Sequence, residues 1–89
     1  NNAATMIAED AFNRYYIRAL CQRAVADGLE AVIVYRARPV QEPRASSEEL
    51  VETAVSPAAL LEDLRQHTGE QTDMGIPGGP NSGISVHLP

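Results

Sequence analysis

The sequence predicts a mixed α/β (α+β) fold, a compact helix–strand–helix–helix domain with a small sheet and an extended Gly/Pro-rich C-terminal tail. Three observations carry this expectation. Apolar residues recur every three or four positions between Glu9 and Asp27, a β-branched run fills Glu30 to Arg38, and Gly, Pro, Asn and Ser dominate beyond Gly69.

The segment from Glu9 to Asp27 contains neither Gly nor Pro, and Phe12, Tyr16, Ile17, Leu20, Cys21, Ala24 and Val25 follow the period of one face of an amphipathic helix. Its end is marked by Gly28, which tolerates the left-handed conformation, and by Leu29, placed for the apolar contact of a Schellman ending. Ala31 to Tyr35 then reads as a central strand apolar on both faces, turning amphipathic at Arg36 and Arg38 and closed by Pro39. Pro39 to Ala45 has no period and two prolines, hence a loop.

Ser46 and Glu49 match a capping box, so a short helix is expected to start there. Val55, Ser56 and Pro57 give a second start: serine as N-cap, proline at the first helical position, and Val55 as a staple against Leu60. This helix is expected to turn Leu60, Leu61 and Leu64 inward, to run to about His67 and to end at Gly69. The domain is therefore placed at 1–68 and the tail or docking arm at 69–89. A stretch as rich in Gly and Pro as 69–83 buries too little to offset its own ordering and is expected to be mobile in isolation. Ile84, Val86 and Leu88 alternate with polar residues, as in a strand added to a sheet of the same domain or of a neighbour.

Composition narrows the function classes. With 89 residues there is room for one domain, and a unit of this size buries only about 60% of the surface its unfolded chain exposes, so self-association or a docked partner would help. Twelve acidic residues against seven basic ones, a net charge of -5, argue against nucleic acid as a partner. All seven basic residues are arginine, a bias that reads as a high-GC bacterial or bacteriophage coding sequence. No apolar run approaches the roughly 18 residues of a membrane span, and no signal-peptide pattern opens the chain, so the expected setting is the cytoplasm or a virion assembled there.

Candidate chemistry is sparse. Gly78 to Ser85 has the glycine spacing of a phosphate loop, but Ile84 stands where the lysine belongs. Cys21, the only cysteine, lies on the apolar stripe and reads as core. His67 and His87 with Cys21 lack the short ligand spacing of a zinc site. No catalytic, cofactor-binding or metal-binding residue is therefore assigned. The candidate interaction residues are Ile84, Val86 and Leu88 on the last strand, Arg36 and Arg38 (with Arg44 following) as carboxylate or anion contacts, and Tyr15 beside Arg14 and Tyr16 as polar aromatic surface.

The function expected from this reading is non-enzymatic: a protein-interaction or structural subunit within a homo-oligomer or a larger assembly such as a bacteriophage particle, its partner a protein or itself. The alternatives are a small acidic regulator or inhibitor of a bacterial protein and, further off, a cysteine-dependent enzyme.

Overall fold

The structure, a computed structural model, describes residues 2–37, 45–67, 72–77 and 83–89. Its elements follow the order α1 (Asn2–Ala26), β1 (Val32–Arg36), α2 (Ala45–Leu50), β2 (Ala54–Val55), α3 (Pro57–Gln66) and β3 (Ile84–His87). The strands form an antiparallel sheet in the order β2-β1-β3. The mixed α/β expectation thus holds, with β1 in the centre.

Local signals set the ends of the elements. The Leu29 amide donates to the Ala24 carbonyl and the Gly28 amide to that of Val25, the bond pair of a Schellman motif, with Gly28 at φ 74°. Ser56 caps α3 by accepting from the Ala59 amide at 3.2 Å, and Pro57 takes the first helical position, where its missing N–H costs nothing. α1 starts earlier than the expected Glu9, because the Ala-rich segment before it offers no breaker. α2 includes Ser46 instead of starting after it. The expected stop at Gly69 and residues 39–44 of the loop expected over Pro39 to Ala45 lie outside the described residues, while Ala45 opens α2.

One contiguous core joins these elements. α1 contributes Ile17, Cys21 and Ala24, β1 Val32 and Val34, α3 Leu60, Leu61 and Leu64, and β3 Ile84 and Val86, with Ile76 from the turn before β3. Ile33 and Tyr35, on the opposite face of β1, are only half-buried, so the strand is not enclosed on both faces as its composition implies. Phe12, Tyr16 and Val25, expected on the core stripe of α1, are exposed. The true stripe, Asn13, Ile17, Leu20, Cys21 and Ala24, is turned from Tyr16 by about 100°, the angle between consecutive helical residues.

The segment expected as a tail supplies Ile76, Ile84 and Val86 to the core. β3 pairs with β1 of its own chain, from Ile33 opposite His87 to Arg36 opposite Ile84. Of the stretch 69–83, only 72–77 and Gly83 lie among the described residues, and there Thr72, Ile76 and Pro77 are buried. The Thr72 hydroxyl closes that turn by donating to the Ile76 carbonyl and accepting its amide, both at 3.1 Å.

Candidate functional site

α1 is apolar on two sides. Its inner side is spent on the core, and on the outer side Phe12 is 71% exposed, Tyr15 70% and Tyr16 41%. Ala8, Ala11, Ala19 and Ala26 are exposed on the same helix. At 3.6 residues per turn, Ala8, Phe12, Tyr15, Ala19 and Ala26 fall on one stripe, with Tyr16 at its margin. Single exposed apolar side chains are ordinary on a protein surface, whereas three adjacent aromatic rings on one helix form a patch.

Polar contacts on the inner side fix which way the stripe faces. The Arg14 guanidinium pairs with Asp10 at 3.1 Å and also donates to the His67 carbonyl at 3.2 Å, at the C-terminal end of α3, where a cation meets the negative end of the helix dipole. One residue earlier, the Asn13 amide donates to the Ile84 carbonyl at 2.8 Å, and the Ser85 hydroxyl donates to Asn13 Oδ1 at 2.7 Å. The Ala37 amide bonds to the Gly83 carbonyl, so in the alternating antiparallel pattern the Ile84 carbonyl points away from β1, and Asn13 covers it at the outer edge of the sheet. With Arg14 tied to α3 and Asn13 to β3, the aromatic side of α1 faces outward.

Several of the other candidates among the described residues are buried or paired within the domain. Cys21 is fully buried, and burial pushes its thiol up to about 11, which leaves almost no thiolate at neutral pH. Arg36 is engaged by Glu48 at 2.7 Å, while Arg38 and Arg44 lie outside the described residues. Ser85 of the phosphate-loop pattern is buried against Asn13, and Gly78 and Gly79 lie outside the described residues. Ile84 and Val86 are core, so of the last strand's apolar set Leu88 alone retains exposed surface. Tyr15 is the candidate interaction residue that stands out from the domain, and Phe12 and Tyr16 join it.

Asp63 drew no attention in the sequence. Nearly buried on α3, it accepts the Asp73 amide on Oδ1 at 3.0 Å and the Met74 amide on Oδ2 at 2.8 Å. His67 Nδ1 lies 3.0 Å from Asp63 Oδ1, and Nε2 lies 3.7 Å from Asp73 Oδ1. The three side chains bring their ligand atoms within 4.8 Å of one another, the arrangement closest to a metal centre among the described residues. Both Asp63 oxygens already accept backbone amides, and the imidazole nitrogen beside Asp63 is turned inward. That leaves His67 Nε2 and Asp73 facing each other, two ligands where a structural zinc ion takes four. The cluster pins the turn at Asp73 and Met74 to α3. A paired acid, a histidine four residues on and a second acid ten residues on is too ordinary a spacing to have been singled out.

No protein-family model, curated protein or solved structure matches this chain. Among the described residues no helix is long and apolar enough to cross a membrane.

Proposed function

We propose that the domain is a protein-interaction subunit that docks through the outer face of α1 within a homo-oligomer or larger assembly. The observation that carries this reading is the exposure of Phe12, Tyr15 and Tyr16 side by side on a helix whose opposite face is already committed to the core. Tyrosine is enriched among the residues that carry binding energy, because a rigid ring offers large contact area at little entropic cost while its hydroxyl stays wet at a rim. Nothing in the fold requires aromatic residues here, since an outer helix face is satisfied by charged or small side chains.

The test is site-specific photocrosslinking in cells that express the chain, with a benzophenone amino acid at position 15 and, as control, at Glu62, exposed on α3. Discrete adducts at position 15 that are missing at position 62 are expected. No adduct at position 15, or the same adducts at both positions, would sink the reading.

A further inference from the structure

The aromatic stripe has an order that bears on what covers it. Its central part, Ala8, Phe12, Tyr15 and Ala19, leaving Ala26 at the far end of the helix, is spaced four, three and four residues apart, and in size runs small, large, large, small. Read backwards, the series is the same in spacing and in size. A surface with that property is complementary to itself under a two-fold rotation, the condition for an isologous contact between identical subunits.

From this we infer that the partner of the outer face of α1 is a second copy of the chain, the two α1 helices packing antiparallel with Phe12 of each against Tyr15 of the other. The inference rests on the docking reading above and names its occupant. In this register Ala8 faces Ala19 of the second copy, so the small residues on either side allow close approach while two aromatic pairs fill the centre. Tyr16 lies at the margin, where its hydroxyl reaches water. Arg18, flanking the stripe, falls opposite Ala11 of the second copy. Moving the pairing one heptad along would set Arg18 against its own symmetry mate, a like-charge contact that counts against that register.

Charge favours the same occupant. Over 2–26 the sequence holds Glu9 and Asp10 against Arg14, Arg18 and Arg23, a net of +1, so the rest of the chain carries -5 minus +1, or -6. The acidic excess that would drive two copies apart therefore belongs to the chain outside the helix where they meet. A strongly basic partner would be drawn to the acidic remainder instead of to α1.

Area sets the strength. Aromatic side chains bury ~150–250 Å² each, and with the flanking alanines each copy offers roughly 500–600 Å², about 1,100 Å² for the pair, at the lower bound of specific interfaces. The dimer is accordingly expected to dissociate in the micromolar range.

Sedimentation equilibrium of the full chain across about 1–300 µM should show a reversible passage from monomer to dimer, since mass action governs the population. Phe12→Ser and Tyr15→Ser should abolish the dimer, leave the circular dichroism spectrum unchanged and give the unfolding midpoint that the parent chain shows at concentrations where it is monomeric, because both residues are exposed. Orientation is read by mixing Ala8→Cys and Ala19→Cys chains and oxidising them. The antiparallel pairing predicts that the mixed 8–19 disulfide outcompetes both like-with-like products, with Cys21 silent in the core.

A chain monomeric throughout, a dimer indifferent to Phe12→Ser and Tyr15→Ser, or a dominant 8–8 disulfide would each overturn the inference. A monomer whose position 15 crosslinks in cells to a different protein overturns it while leaving the docking reading intact. A monomer with no crosslink overturns both.

Discussion

Asp63 accepts two backbone amides from a turn ten residues further along the chain while lying almost out of solvent contact, and Asp63→Ala leaves both donors without their acceptor. Hydrogen bonds to a charged acceptor contribute ~1.5–3 kcal/mol each, and a loss of about 3 kcal/mol is expected, measurable as a lowered urea midpoint. Cys21 makes a prediction about pH. Its folded-state pKa is raised from 9.0 to about 11, so the folded state holds the proton more tightly than the unfolded state does. That contribution is complete below pH 9 and is lost as pH climbs toward about 11. Stability should therefore fall through this window, and the fall should be shallower in Cys21→Ala; equal alkaline slopes in the two proteins would exclude the thiol as its source. Burial of Cys21 was legible in the sequence because its apolar neighbours lie three and four residues away. Asp63 was not legible, because its partners are backbone amides, which no side-chain pattern records.

At the scale of elements, legibility followed the range of the interactions involved. The Schellman ending at Gly28 and the Ser56 cap are made within a few residues, and both stand as read. Ser56→Ala should cost about 1 kcal/mol through the orphaned Ala59 amide. Gly28→Ala should cost ~1–2 kcal/mol by backbone conformation alone, since φ is 74° and a methyl group there meets nothing within 4 Å. Thermal unfolding of both variants checks these values. The inward face of α1 was read correctly at Ile17, Leu20, Cys21 and Ala24 but too broadly, because the helix is apolar on two sides and periodicity does not show where one face ends and Phe12, Tyr16 and Val25 leave it. The decision is made by Asn13 and Arg14, whose partners on Ile84 and His67 stand 71 and 53 residues away. β2 escaped notice because a two-residue strand has no period to display.

For the whole molecule, the sequence indicated the fold class and the central position of β1 but not where its neighbours came from. One is the short strand beside α3, and the other is the segment read as a docking arm. Because β3 places Ile84 and Val86 in the core and pairs with β1 along four register positions, removal of 84–89 should unfold the domain instead of releasing an assembly from a folded core. A truncated chain that retains a cooperative unfolding transition would contradict this. The candidate docking surface was legible only in part: Tyr15 was singled out and Tyr16 was read both as surface and as part of the apolar stripe, but Phe12 was assigned to the interior by the same period that made the helix recognisable.

The pairing of β1 with β3 also bears on how fast the chain reaches its native state. Partners in that ladder are separated by 87 minus 33, or 54, residues at one end and 84 minus 36, or 48, at the other. Loop-closure entropy for so distant a pairing must be met before the contacts return any stabilisation, which places folding on the slow side for a chain this short. The ladder from β1 to β2 and the helix that follows are local by comparison and are free to form early. Stopped-flow refolding should then find that Val86→Ala accelerates unfolding more than it slows folding, the mark of a strand that docks after the transition state has been crossed.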